Sequence, residues 1–119
     1  MANDLTQHVI QEFGSEATQE KYIQKAQEGL WDSEEYFINK YFTKKNAIIL
    51  DLGCGTGRTT IPLYNEGFDV VGVDIVPEMI ANAQMIAEKN SLDIDYRVGD
   101  ATSLEFEENT FDYVLFSNQ

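Results

Sequence analysis

The spacing of apolar residues changes near position 47, from a helical period to short uninterrupted runs. Over residues 17–30 the apolar positions fall on one helical stripe. Asp32 or Ser33 then precedes a second pattern with helical spacing and is suited to cap that helix. We therefore expect residues 1–46 to form an N-terminal helical segment.

From this point strands and helices are predicted to alternate. Four short runs, either branched and apolar or alternating, are typical of strands: residues 47–50, 68–74, 94–98 and 111–116. A helix is expected between the first two strands, with Gly67 at its C-terminal stop. A longer helix should begin near Pro77 and end at Lys89 or Asn90, because proline suits the first helical turn.

This alternation predicts an α/β fold with a doubly wound parallel sheet. Right-handed crossovers place the second and third strands on one side of the first, and the fourth strand returns to its other side. The expected strand order is 3-2-1-4. Such an order leaves a switch point beside the first strand, where open sheets of this kind bind ligands at the carboxyl ends of their strands.

Composition narrows the class of protein. The chain has 119 residues and a formal net charge of −13, from 21 acidic against 8 basic residues. That charge repels phosphate backbones, so we expect no nucleic-acid partner. No apolar run approaches the roughly 20 residues of a membrane span. A single cysteine, Cys54, excludes an internal disulfide and a cysteine-based zinc site, which favours a cytoplasmic protein with no metal.

The segment DLGCGTG (51–57) carries the main candidate chemistry, since it joins the first strand to the first helix of the sheet. Its glycines permit a sharp turn and close approach of a ligand to the backbone. A dinucleotide fingerprint would need a third glycine where Arg58 stands, and no Gly-Lys-Ser/Thr follows as in a Walker loop. Asp51, directly before the glycines, also disfavours a phosphate ligand and favours one with positive charge.

These residues match the D/E-x-G-x-G-x-G motif throughout, and residues 47–119 resemble the class I S-adenosylmethionine-dependent methyltransferases. The resemblance implies a Rossmann-like fold and S-adenosylmethionine as cofactor. It also implies that Gly53, Cys54 and Gly55 line the methionine end of the cofactor site. Asp51 would act there through a hydrogen-bond network.

Later residues extend the resemblance in the expected order. Asp74, at the end of the second strand, resembles the acid that accepts hydrogen bonds from the two ribose hydroxyls, and Ile75 would pack on adenine. Asp100 resembles the acceptor for the adenine amino group, and the backbone of Ala101 would contact the ring. Ser117, after the fourth strand, would lie near the methyl-transfer path.

The resemblance implies transfer of a methyl group from S-adenosylmethionine to a small-molecule acceptor, by in-line displacement that needs no covalent catalyst. The sequence nominates no catalytic residue and indicates no oligomeric state. Two alternatives remain open: a non-catalytic S-adenosylmethionine-binding or regulatory module, and a nucleotide-dependent oxidoreductase. The oxidoreductase is disfavoured by Arg58.

Two further expectations concern the parts outside the motifs. Residues 1–46 should act as a lid over the carboxyl ends of the strands, with Tyr22 or Trp31 facing the cofactor's sulfonium. Members of the family also continue beyond a fourth strand. We therefore expect residues 1–119 to be the N-terminal portion of a longer enzyme and to be inactive and self-associating alone.

Overall fold

A computed structural model of the chain describes residues 4–100, 106 and 110–117. The N-terminal segment contains helices α1 (Asp4–Phe13), α2 (Glu16–Lys25) and α3 (Asp32–Tyr41), with a 3₁₀ turn at Ala26–Glu28. The rest contains β1 (Ile48–Leu52), α4 (Thr60–Asn65), β2 (Asp69–Asp74), α5 (Pro77–Lys89), β3 (Asp95–Val98) and β4 (Tyr113–Phe116). No described helix has the length and apolar content needed to cross a membrane.

The four strands form one parallel sheet in the order β3-β2-β1-β4, which confirms the predicted order and fold class. Leu52 at the end of β1 pairs with Val73 of β2 on one side and with Phe116 of β4 on the other. The carboxyl ends of these three strands therefore meet at one edge. The order of the strands reverses beside β1, which has β2 on one side and β4 on the other. Open sheets of this kind bind ligands at such a switch point.

Strand β1 is longer than its apolar run predicts. Asp51 and Leu52 belong to the strand, so the acid precedes the turn instead of opening the loop. Asp51 is fully buried in the centre of the sheet. The polar residue is tolerated in this strand because three hydroxyl groups donate hydrogen bonds to its carboxylate.

The start of α3 also differs from its predicted cap. Trp31 occupies the N-cap position, and neither Asp32 nor Ser33 does. The carboxylate of Glu34 accepts a hydrogen bond from the backbone N–H of Trp31 at 2.9 Å. Glu34 therefore closes the first turn from within the helix, as the acidic member of a capping box does.

The C-terminal part of helix α3 packs on a face of the sheet. Ile38 of α3 and Phe42, which caps the end of the helix, join a buried cluster completed by Ile49, Leu63 and Val70. The ring of Phe42 also stacks on Tyr113 of β4, with centroids 4.4 Å apart. The C-terminal end of α3 is therefore fixed to the sheet face, and the role of residues 1–46 as a lid stays a prediction.

Helix α2 lies beside α5, towards the carboxyl edge of the sheet. Tyr22 packs there with Val76 and Met79 in a separate buried cluster. The side chain of buried Gln19 donates to the carbonyl oxygen of Phe13 at the end of α1 and accepts from Asn82 of α5 at 2.9 Å. These contacts bring α1 and α2 to the carboxyl edge of the sheet.

Candidate functional site

A cavity of about 470 Å³ opens at the carboxyl edge of the sheet. The strand ends and the loops after them form its floor, and residues of α1 and α2 form a wall. Its size lies in the usual range for small-molecule sites. The residues predicted from the sequence that line it are Gly53, Gly55, Asp74, Ile75, Asp100 and Ser117.

The glycine loop turns sharply beneath this cavity. Gly53, Gly55 and Gly57 all have positive φ angles, of 70°, 56° and 107°. A Cβ atom on Gly57 would also lie 2.6 Å from the hydroxyl of Tyr96, closer than real contacts allow. Only glycine meets both conditions at this position, so the sequence motif has a local structural cause.

Asp74 fixes the loop to the end of β2. One carboxylate oxygen accepts a hydrogen bond from the N–H of Gly55, and the other accepts from the N–H of Val76, both at 2.9 Å. Burial raises the pKa of Asp74, while these backbone hydrogen bonds oppose the rise. A carboxylate offers about four lone-pair positions in all, so the side chain keeps capacity to accept from a ligand in the cavity.

Asp51 does not line the cavity but lies one hydrogen bond behind its wall. One oxygen of Asp51 accepts from Thr59 at 2.7 Å and Thr60 at 2.8 Å, and the other accepts from Ser117, which faces the cavity. Burial raises the pKa of Asp51, and the hydroxyl groups and the charge of Arg58 oppose the rise. Asp51 is therefore linked to the cavity by a hydrogen bond through Ser117.

Cys54 is placed differently from its glycine neighbours. Its side chain is fully buried against Ile80 and Ala83 of α5, and the residue does not line the cavity. Burial, followed by the charges of Asp51 and Asp74, raises the pKa of the thiol well above its ordinary value. The group therefore stays neutral and is unsuited to act as a nucleophile.

The two aromatic candidates, Tyr22 and Trp31, are placed differently. Tyr22 lines the cavity, as one of the two expected aromatic side chains, whereas Trp31 does not line it. The guanidinium of Arg58 lies 3.9 Å from the centroid of the Trp31 ring and so occupies one face of it. Ala101 lies outside the described residues.

Sequence reasoning named neither the residues of α1 that line the cavity nor the partners of Arg58. Val9 and Phe13 of α1 line the cavity. Arg58 is fully buried and forms a two-bond ion pair with Glu34 of α3. The absence of a third glycine at this position was visible in the sequence, but the identity of the pairing acid was not. Within the described residues no cluster of three or more potential ligands could hold a metal ion.

Comparison with known proteins places this geometry in a family. Residues 49–119 match the family model of a methyltransferase domain. A ubiquinone biosynthesis O-methyltransferase from Azorhizobium caulinodans is 44% identical over 71 residues, which cover 60% of this chain and 28% of that protein. The chain thus spans little more than a quarter of the length of this curated relative.

Two solved structures are similar over most of the chain. A TehB-like SAM-dependent methyltransferase from Corynebacterium glutamicum superposes with a TM-score of 0.65 at 29% identity, covering 87% of this chain and 56% of that one. Magnesium protoporphyrin IX methyltransferase from Synechocystis, solved with bound SAH, shares the fold with a TM-score of 0.76 at 21% identity, covering 95% and 58%. With the matched domain model and the predicted strand order, these similarities lead to one assignment. This chain belongs to the class I S-adenosylmethionine-dependent methyltransferase family.

Proposed function

We propose that the protein transfers a methyl group from S-adenosylmethionine to a small-molecule acceptor. The observation that carries this proposal is the chemistry of the cavity at the sheet edge. Two carboxylates, Asp74 and Asp100, line it, and none of the described lining residues is basic. That lining suits a ligand with hydroxyl groups and positive charge and is unsuited to the pyrophosphate of a dinucleotide.

The residues present fit the parts of S-adenosylmethionine. Asp74 would accept hydrogen bonds from the ribose hydroxyls with its remaining lone pairs, and Ile75 would pack on the adenine. Asp100 would accept from the adenine amino group, and the backbone of residues 53–55 would hold the methionine end. Asp51 would act on that end through Ser117. When bound, the cofactor supplies an electrophilic methyl group on its sulfonium.

The chain's own contribution is binding, orientation and exclusion of water. Val9, Phe13 and Tyr22 form an apolar wall over the strand ends, which would desolvate a reacting centre below. The buried neutral thiol of Cys54 has no access to the cavity, so we assign it no covalent step. Positioning of the acceptor would supply the main rate enhancement.

A second cavity, of about 300 Å³, supports a small-molecule acceptor. Trp31, Phe37 and Leu115 line it, and it shares Phe116 with the first cavity. An apolar molecule held there would lie beside the proposed cofactor site. The net charge of −13 disfavours nucleic acid as an alternative acceptor. We place the reaction in the cytoplasm, a setting that suits a chain whose one cysteine is free.

The test is a methyl-transfer assay with S-adenosylmethionine labelled in its methyl group. Hydroxyl-bearing aromatic and aliphatic molecules are the first acceptors to try, because a curated relative of this chain is an O-methyltransferase. We expect label to move to at least one acceptor in the native protein and the signal to fall in the Asp74→Ala variant. Cofactor binding without transfer to any acceptor would favour the non-catalytic binding module instead.

A further inference from the structure

The glycine loop is bonded to the N-terminal segment at Thr56. The hydroxyl of Thr56 donates a hydrogen bond to the backbone carbonyl of Tyr22, and both residues are buried. The side chain of Tyr22 forms part of the wall of the main cavity. The loop beneath the cavity therefore fixes the backbone of a residue that closes the cavity from above.

A second connection begins two residues later. The guanidinium of Arg58 donates to both carboxylate oxygens of Glu34, at 2.7 and 2.9 Å, and to the carbonyl of Gly29 at 3.0 Å. Its Cζ atom also lies 3.9 Å from the centroid of the Trp31 ring. A fully buried guanidinium is costly unless its charge is paired, and the partners named above come from residues 29–34.

These contacts join the same two stretches of chain. Residues 22–34 run from α2 through the 3₁₀ turn into α3, and residues 53–58 form the loop whose Gly53 and Gly55 line the cavity. A displacement of residues 22–34 would carry Glu34 away and leave the buried charge of Arg58 without this counterion. A ligand that orders the loop must therefore also favour the docked position of the first stretch, and the effect must be reciprocal.

We propose that Thr56 and Arg58 are positioning residues that hold residues 22–34 against the glycine loop and thereby place the Tyr22 wall over the cofactor. The proposal rests on the proposed function in one respect, namely that the cofactor occupies the main cavity. Neither side chain lines the cavity, so both act through the segment that they hold.

The experiment compares Thr56→Val and Arg58→Met with a matched control, Lys44→Met. Lys44 forms a 2.6 Å ion pair with Asp112 just after the other end of α3, so its loss also weakens the attachment of this segment, but away from the cavity. Calorimetry with S-adenosylhomocysteine gives the affinity. Hydrogen exchange with and without that ligand gives the protection of residues 22–34.

We expect Thr56→Val and Arg58→Met each to weaken S-adenosylhomocysteine binding by tenfold or more and to remove the ligand-induced protection of residues 22–34. Lys44→Met should bind within twofold of the native protein. Thr56→Ser keeps the hydroxyl and should bind S-adenosylhomocysteine as the native protein does. The comparison of Thr56→Val with Thr56→Ser tests the proposal even if Arg58→Met does not fold. Combining Glu34→Gln with Arg58→Met should weaken binding no further than Arg58→Met alone. Both substitutions remove the same contact, the ion pair between Arg58 and Glu34.

Native affinity in Thr56→Val would overturn the proposal, as would an equal loss in Lys44→Met, which would indicate a general effect of stability. Either result leaves the proposed function standing. Failure of the native protein to bind S-adenosylhomocysteine would instead contradict the proposed function, so the two failures are distinguishable.

Discussion

Replacement of Asp74 by alanine should damage both the fold and the cofactor site. The carboxylate accepts from the N–H groups of Gly55 and Val76, and the change leaves both donors without that partner. A hydrogen bond to a charged acceptor contributes roughly 1.5–3 kcal/mol. Because the side chain is only partly buried and water can reach the freed groups, we expect a loss of about 2–3 kcal/mol in the free energy of unfolding.

The same change should weaken cofactor binding by about 5- to 150-fold, since unpaired ribose hydroxyls cost on the order of 1–3 kcal/mol. Urea denaturation gives the stability, and calorimetry with S-adenosylhomocysteine gives the affinity. Asp69→Ala is the matched control, because Asp69 is an exposed acid at the opposite end of the same strand. Unchanged affinity in Asp74→Ala would refute the ribose assignment, and unchanged stability would refute the role of the Gly55 bond.

The pH dependence of stability and of cofactor affinity tests the role of Asp74 a second time. Because burial raises its pKa, the folded state takes up a proton before the unfolded state does as pH falls. The contribution of Asp74 to stability therefore grows as pH falls from the raised value towards the ordinary value of 3.8, and declines as pH rises. Cofactor affinity should move the other way, because protonation removes acceptor capacity, and Asp74→Ala should lack this pH dependence.

Three other outcomes follow from the packing. Gly72→Ala should lower the free energy of unfolding by about 1–3 kcal/mol in urea titration, since its Cβ would lie 2.6 Å from the Tyr96 ring; unchanged stability would contradict this packing. Glu34→Gln should cost about 3 kcal/mol by leaving buried Arg58 without its counterion. Burial raises the pKa of Glu34, but the hydrogen bonds from Arg58 and Trp31 and the charge of Arg58 outweigh burial and leave the pKa below its ordinary value of 4.5. The stability difference should therefore persist above about pH 4.5 and vanish as pH falls through the lowered pKa. Cys54 should react with a thiol reagent only as fast as the protein unfolds, and rapid labelling of the folded protein would contradict its burial.

The strand order and the glycine turn could be predicted because their causes are local. Buried strands require apolar runs, and the positive φ of Gly53, Gly55 and Gly57 requires glycine, so both leave a pattern in the sequence. The acid at position 74 was visible for the same reason, as a polar residue that ends an apolar run. These features predict a site at the edge of the sheet where the cavity opens.

What could not be predicted depends on contacts between distant parts of the chain. Nothing near Arg58 in the sequence indicates Glu34 as its partner, because the two meet only when α3 docks on the sheet. The sequence also gives no sign that the hydroxyl of Thr59 donates a hydrogen bond to Asp51. The direction of the Cys54 side chain is likewise set by the packing of α5 over the loop.

The central claim is that the cavity at the sheet edge binds an adenosyl sulfonium cofactor and not a dinucleotide. The most direct measurement is calorimetric titration of the native protein with S-adenosylmethionine, S-adenosylhomocysteine and NAD under identical conditions. We predict saturable one-to-one binding of both adenosyl ligands and no heat of binding with NAD. Binding of NAD with both adenosyl ligands silent would contradict the claim.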